Sequence, residues 1–93
     1  MSTKKRGFIE ISGDILQSLN EKPLKKSHIS YKCNLDPRST TKYLKIIQNL
    51  NLVEKSEDLQ YFMLTKKGIK FLKQYTNLTE FLSNHIEKDK NNI

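Results

Sequence analysis

Five polar and basic side chains are clustered in one short stretch near the middle of the 93-residue chain. An arginine guanidinium can donate two hydrogen bonds to guanine, hydroxyl groups can reach other base edges, and lysine ammonium groups can pair with phosphates. On a helix with 3.6 residues per turn, the five fall mainly on one side. The pattern indicates a surface that could bind DNA, formed by Arg38, Ser39, Thr41, Lys42 and Lys45.

These side chains need a helix to position them, and the flanking residues predict its ends. Asp36 is suited to cap the free N–H groups of the first turn, and Pro37 fits the first helical position. Asn51 can adopt the left-handed conformation that ends a helix. The sequence therefore predicts a helix over residues 36–50, of the size that enters a DNA major groove. Its other face is an apolar stripe of Tyr43, Leu44, Ile47 and Leu50.

The charge of the chain also favours a polyanionic partner. Seventeen Lys and Arg stand against ten Asp and Glu, which gives a net charge of +7 and a pI near 9.6. The excess is uneven, since residues 1–55 carry a net +6 and residues 56–93 only +1. The basic half contains the predicted helix, so double-stranded DNA is the partner that we expect.

Two further helices are predicted before this one. Apolar spacing predicts a first core helix over residues 8–19, in which Gly13 marks either a close helix approach or nothing. Residues 25–33 fit a two-turn helix with Ile29 and Cys33 facing inward. A two-turn helix, a short turn and a capped basic helix make a helix-turn-helix. Lys25 and Lys26 oppose the dipole at the start of the shorter helix. A DNA phosphate bound there would offset this charge, and it is slightly favoured over the alternative of two exposed lysines without a function.

A β-hairpin is predicted after the basic helix. Residues 52–55 alternate weakly, residues 56–58 are typical of a turn, and residues 60–64 are rich in aromatic side chains. The turn is acidic, so its tip is poorly suited to bind phosphates. Lys55 and Gln60 at its base could still reach a DNA backbone.

The last predicted helix is longer than a small core can cover. Thr65 is suited to cap a helix over residues 66–88, about 34 Å long. The apolar spacing approaches a heptad repeat, and its second half needs a partner. Self-association into a two-helix coiled coil is favoured over folding back onto the domain. The predicted dimerisation residues are Phe71, Tyr75, Leu78, Leu82 and Ile86.

The predicted fold class is thus α+β and mostly α, a winged helix-turn-helix with a β-hairpin wing and a long C-terminal helix for coiled-coil dimerisation. The predicted organisation is a basic arm over residues 1–6, the winged domain over 7–65, the dimerisation helix over 66–88 and a polar tail over 89–93.

Several runs resemble the small archaeal winged helix-turn-helix DNA-binding proteins, and most of all the ten-kilodalton chromatin-associated type. The runs are His28-Ile-Ser-Tyr31-Lys-Cys-Asn34-Leu35, Thr41-Lys-Tyr43-Leu-Lys-Ile-Ile47, Leu52-Val53 and Tyr61-Phe-Met-Leu64-Thr65-Lys-Lys-Gly68. The resemblance spans about residues 8–85 and implies a homodimer joined by an antiparallel coiled coil of the last helices. It also implies that Cys33 is a core thiol. The chain departs from the type at Phe71 and Tyr75, where the seam is aromatic, and in its short tail.

Other classes of function have little support in the sequence. Two histidines 57 positions apart and one cysteine give no metal-ligand spacing, and there is no glycine-rich phosphate loop or nucleophile elbow. We therefore expect no enzyme, no metal, no cofactor and no evident small-molecule ligand. With no membrane-spanning run or signal peptide, we expect a cytoplasmic, nucleoid-associated protein.

Three functional alternatives remain beside sequence-specific regulation. A lysine-to-arginine ratio of 15 to 2 favours architectural DNA binding through phosphates. A protein-interaction module that uses the fold without DNA is a different class. RNA binding is disfavoured, because the aromatic residues have the spacing of core residues rather than of a stacking platform. These residues are Tyr31, Tyr43, Tyr61 and Phe62.

Overall fold

The computed structural model describes the backbone of residues 6–91 and the side chains of residues 6–84. This part of the chain contains four helices and two strands. In chain order they are α1 (Phe8–Ser18), α2 (Lys26–Cys33), α3 (Pro37–Asn49), β1 (Val53–Lys55), β2 (Phe62–Leu64) and α4 (Lys66–Asn91). The order confirms the predicted α+β, mostly helical winged helix-turn-helix. Of the predicted basic arm, only Arg6 lies within the described residues.

A single apolar core holds the helices and the hairpin together. Ile15 and Leu16 of α1, Ile29 of α2 and Ile47 of α3 are fully buried in it. Cys33 is buried there too, as expected of a core thiol. Close packing of apolar surface is the main stabilising contribution in a domain of this size.

The two strands and one residue of the α1–α2 connection form a small sheet. β1 and β2 are antiparallel, with Val53 opposite Leu64 and Lys55 opposite Phe62. Leu24 exchanges two backbone hydrogen bonds with Phe62, of 2.8 and 3.1 Å. This single β-bridge fixes the hairpin against the helix-turn-helix.

The apolar face of α3 differs from the predicted stripe at one end. Leu44 and Ile47 are buried and Tyr43 is half-buried, but Leu50 is 45% exposed. Leu50 caps the helix and lies at the edge of its apolar face, on the side of half-buried Tyr43. Thr40, one turn before Leu44, is buried in its place.

The start of α4 is joined to the turn after α3 by hydrogen bonds. Thr65 Oγ1 accepts a bond of 2.9 Å from the Gly68 N–H and donates one of 2.6 Å to the Asn51 carbonyl. A Cβ atom at residue 68 would collide with the Leu52 carbonyl oxygen. The cap predicted at Thr65 is confirmed, and the Leu-Thr-x-x-Gly run has a physical basis in this close approach.

Gly13 marks a close helix approach, which was one of its two predicted meanings. The ring of Tyr75 on α4 lies where a side chain at residue 13 would be. α1 and α4 therefore pack side by side at a distance that only glycine permits there. Tyr75 and Phe71 are half-buried against the core of their own domain.

The distal part of α4 leaves the domain as one continuous helix. α4 extends to Asn91, three residues beyond the predicted end, so the predicted tail is helical over 89–91, and residues 92 and 93 lie outside the described residues. Folding back onto the domain does not occur, because Leu78 is 55% and Leu82 46% exposed. The predicted seam residue Ile86 lies beyond the described side chains.

Candidate nucleic-acid interface

The first turn of α3 is held by the predicted cap. Asp36 Oδ1 accepts a hydrogen bond of 2.7 Å from the Ser39 N–H, and the Ser39 hydroxyl donates to Oδ2 at 3.1 Å. The bond from the Ser39 backbone holds the pKa of the Asp36 carboxyl below its usual value. The cap is therefore ionised at neutral pH, and its charge favours the positive end of the helix dipole.

A hydrogen bond between two hydroxyl groups, one of them fully buried, joins α2 to α3. Ser30 Oγ on α2 donates a hydrogen bond of 2.6 Å to Thr40 Oγ1, which donates in turn to the Asp36 carbonyl at 2.9 Å. Thr40 is fully buried. Thr40 was not among the residues predicted from the sequence. Its only signal was its position four residues before Leu44 and seven before Ile47, on the apolar face.

A second contact between the two helices lies on the exposed side. Lys26 Nζ donates a hydrogen bond to Thr41 Oγ1, and that hydroxyl donates to the Pro37 carbonyl at 3.0 Å. The Thr41 hydroxyl, predicted to reach base edges, is thus engaged within the protein. Ser39 is in the same position, because its hydroxyl donates to Asp36.

Lysines from three elements meet around this contact. Lys26 of α2, Lys45 of α3 and Lys55 of β1 line one cleft of about 240 Å³ beside Thr41. The cleft has an apolar floor that includes Leu44 and Phe62. Among the described residues, no acidic side chain lines it. Three ammonium groups in such a place make a site of positive potential that suits a phosphate backbone.

Aromatic rings support three of the predicted lysines. The Nζ atoms of Lys25, Lys42 and Lys55 lie 5.7, 5.5 and 5.5 Å from the ring centroids of Tyr61, Tyr43 and Phe62. At these distances each ammonium gains about 0.5–1 kcal/mol from the ring face when exposed. The rings thus restrict where these charges lie while leaving them open to solvent.

Arg38 stands apart from the cleft, at the exposed start of α3. It is the second residue of the helix, just beyond the Asp36 cap. Arg38, Lys42 and Lys45 follow one another at helical spacing and are all exposed. The structure therefore places the predicted basic residues of α3 along one solvent-facing side.

The hairpin tip is acidic and folded, as predicted. Asp58 Oδ1 accepts hydrogen bonds from the Ser56 hydroxyl and from the Gln60 N–H, the latter at 3.1 Å. The Ser56 bond holds the pKa of the Asp58 carboxyl below its usual value. Glu57 beside it is exposed. Only the base of the hairpin, at Lys55, adds to the basic surface.

Two tyrosines predicted to belong to the core are on the surface. Tyr31 is 88% exposed, because α2 turns Ile29 and Cys33 inward and leaves Tyr31 on the opposite side. Tyr61 is exposed beneath the Lys25 ammonium. The prediction was right for Phe62, which is buried, and partly right for Tyr43.

Metal-ligating residues are not grouped in the part of the chain that the structure describes. No three His, Cys, Asp or Glu side chains there are placed to hold one metal ion. Burial raises the pKa of the Cys33 thiol, so the group stays protonated at neutral pH. None of the helices, over the same residues, is long and apolar enough to cross a membrane.

A family model described as winged helix-turn-helix matches residues 5–83. This chain belongs to the winged helix-turn-helix family. The match includes α1 to β2 and most of α4, so it takes in every basic residue of the surface described above. No curated protein sequence matches the chain.

Solved structures share this winged helix-turn-helix fold. Lactococcus lactis ZitR in complex with DNA has a TM-score of 0.73 and 23% identity, covering 99% of this chain and 65% of its own. ZitR described as a zinc-responsive MarR family member has a TM-score of 0.71 and 27% identity, with coverages of 96% and 65%. The adhesin competence repressor AdcR of Streptococcus pyogenes has a TM-score of 0.70 and 17% identity, with coverages of 89% and 66%. The chain thus spans less than two thirds of the length of these ZitR and AdcR chains.

Proposed function

We propose that this protein is a dimeric transcriptional regulator that binds double-stranded DNA with α3 in the major groove. The observation that carries the proposal is the convergence of Lys26, Lys45 and Lys55 on one cleft beside α3. Helix α3 is about 20 Å long at 1.5 Å per residue, and its basic side is exposed. The similarity to ZitR, whose structure includes DNA, supports the same use of the fold here.

The side chains divide into two roles in this proposal. Lys26, Lys45 and Lys55 neutralise phosphates along one edge of the groove, with Lys25 and Lys42 adding further contacts. Arg38 at the start of α3 reads a guanine edge through two hydrogen bonds. Ser39 and Thr41 act mainly by orienting their neighbours, because Asp36 and Lys26 already bond their hydroxyl groups. The acidic tip keeps the wing away from phosphates, so only its base takes part.

The homodimer of this proposal forms through α4. Its distal half exposes Leu78 and Leu82 on the side that would pair with a second copy. An antiparallel coiled coil of two α4 helices would cover both and would place one winged domain at each end.

Architectural DNA binding is the second candidate, and one observation favours it. With the hydroxyls of Ser39 and Thr41 engaged within the protein, α3 has few groups left to read bases. A protein that binds mainly through lysines is nearly indifferent to sequence. This candidate agrees with the resemblance to the chromatin-associated type. A role as a protein-interaction module requires that DNA not bind at all.

Competition between DNA sequences separates these candidates. The protein is equilibrated with a library of duplexes containing a 30-base-pair random region, and bound sequences are selected and counted. If the protein is a regulator, the selected sequences share a palindrome. Arg38→Ala then lowers the binding free energy by about 1–3 kcal/mol on that site only, whereas Lys42→Ala weakens binding to every sequence about equally. Equal losses on random and preferred DNA for both variants would contradict the regulator and leave the architectural candidate. Absence of binding at low salt would contradict both.

A further inference from the structure

An apolar groove runs between the start of α1 and the middle of α4. It encloses about 210 Å³ and is lined by Ile9, Phe71, Gln74, Tyr75 and Leu78. Ile9 is 59% exposed, although it is one of the larger apolar side chains of the domain. The groove therefore has two walls. The predicted dimerisation residues of α4 form one wall, and Ile9 of α1 forms the other.

The packing of the domain holds this groove open. Tyr75 lies against Gly13, which brings α1 and α4 into close contact below the groove. On the other side of Ile9, Phe8 is turned toward α3, with its ring 6.1 Å from that of Tyr43. On α1, Ile9 thus lies between Phe8, which packs against Tyr43, and Gly13, which packs against Tyr75. Its own side chain faces outward.

The chain itself carries a segment with the chemistry to fill this groove. Beyond Tyr75, α4 continues through Leu78 and Leu82, which remain about half exposed, and it cannot bend back to cover its own groove. Exposed leucines at helical spacing suit an apolar groove better than they suit water. In a two-fold pair of antiparallel helices with the axis near Leu78, residue 82 of one copy lies opposite residue 74 of the other. That position is beside Ile9.

Three lysines of α4 lie away from the groove, whereas Lys67, four residues before Phe71, lies on the groove side at its near end. Lys73 lies on the other flank of the helix, where it lines a different cleft with Ile69 and Asn77. Lys66 and Lys70 share the side of Lys73 at helical spacing. A second copy can therefore approach the groove without bringing these lysines together.

We propose that the distal half of α4 from a second copy occupies the groove between α1 and α4, so that Ile9 belongs to the dimer interface. This inference rests on the homodimer proposed above and adds α1 to its interface. Each copy then contributes two helices, α1 and α4, and not α4 alone. Leu82 of the partner subunit packs against Ile9 and Tyr75, and the symmetry repeats the contact. The proposed interface lies close to α3, because Phe8, the residue before Ile9, packs against Tyr43 of that helix.

Two isoleucines of similar exposure provide a matched test. Ile9 is 59% and Ile69 52% exposed, but Ile69 lines the cleft on the other flank of α4. The dissociation constant of the full chain is measured by sedimentation equilibrium for wild type, Ile9→Asp, Ile69→Asp and Leu78→Asp. Circular dichroism checks that each variant is folded, and the pair Ile9→Ser and Ile69→Ser serves if the aspartates lower stability. We expect Ile9→Asp to weaken the dimer at least tenfold and Ile69→Asp to leave it within about twofold of wild type.

The outcomes distinguish the inference from the proposal that it extends. If Leu78→Asp gives monomers but Ile9→Asp dimerises like wild type, α4 pairs without α1 and the inference is wrong while the homodimer stands. Equal weakening by Ile9→Asp and Ile69→Asp would also overturn it, because the effect would follow charge and not position. A monomeric wild type would remove both the homodimer and the inference, whatever the DNA binding.

Discussion

The two longest helices, α3 and α4, each bury one face in the same core and leave another face uncovered, yet the uncovered faces have opposite chemistry. α3 exposes Arg38, Lys42 and Lys45, whereas distal α4 exposes Leu78 and Leu82. A cationic face is well solvated alone and gains a partner by releasing counterions from a polyanion. An apolar face is poorly solvated until another apolar surface covers it. This difference supports the proposal that α3 binds DNA and that α4 binds a second copy of the chain.

Salt should therefore act differently on the two faces. Binding through α3 should weaken steeply as ionic strength rises, because counterions compete for the phosphates. Association through α4 should change little or strengthen slightly, because apolar burial is not screened.

Leu78→Asp should give the largest change, the loss of the dimer. Burying a leucine contributes about 1.5–3 kcal/mol, and a two-fold interface contains it twice, so the dissociation constant should rise about 100-fold or more. The monomer should stay folded, because Leu78 is 55% exposed within one chain. Sedimentation equilibrium at low and high salt measures the effect.

The neighbouring variant Asn77→Asp is the control for this experiment. It adds the same charge one residue away, where Asn77 faces the other flank of α4. Its mass in solution should equal that of wild type. An unchanged mass for Leu78→Asp would show that the apolar face of α4 is not an interface. Helix α4 would then no longer contrast with α3 as a helix that binds protein.

A smaller effect separates two adjacent threonines of α3. Thr40→Val removes the buried hydroxyl that Ser30 and the Asp36 carbonyl share, so the free energy of unfolding should fall by about 1 kcal/mol. Thr41→Val changes an exposed hydroxyl and should alter stability by less than about 0.5 kcal/mol. Urea unfolding of the two variants gives both values. Equal values would mean that the Ser30–Thr40 pair does not hold α2 against α3.

The ends of α3 could be predicted from sequence because local chemistry determines them. Asp36, Pro37 and Asn51 act within a few residues of the helix end, and each behaves as expected. Leu50 was predicted to be buried but is exposed, because it lies at the edge of the apolar face beside half-buried Tyr43, and the spacing of apolar residues does not show how far the core extends. Tyr31 was wrong because it lies two residues from both Ile29 and Cys33, a spacing that places it on the opposite side of α2 from this buried pair.

The candidate site could be predicted as a set of residues but not as an arrangement. Charge and spacing identify Lys26, Lys45 and Lys55 one by one. Their convergence depends on how α2 crosses α3 and on where the hairpin returns, both of which long-range packing decides. The same is true of Ile9, which is 62 positions from Phe71 in sequence and shares a groove with it.

The central claim is that the cleft beside α3 binds DNA, and salt dependence with two matched triple variants tests it most directly. One variant carries Lys26→Ala, Lys45→Ala and Lys55→Ala; the other carries Lys66→Ala, Lys70→Ala and Lys73→Ala on α4. Both remove three positive charges, so a difference between them reports position alone. Binding of each to a 30-base-pair duplex is measured by fluorescence anisotropy across a range of salt concentrations.

Each lost phosphate contact should make the slope of log affinity against log salt shallower by about 0.9. We predict a wild-type slope that is steeply negative, a slope shallower by about 2–3 for the cleft variant and a slope close to wild type for the α4 variant. Equal slopes for the two variants would contradict the account, because the net charge of the protein would then explain DNA binding without any particular surface.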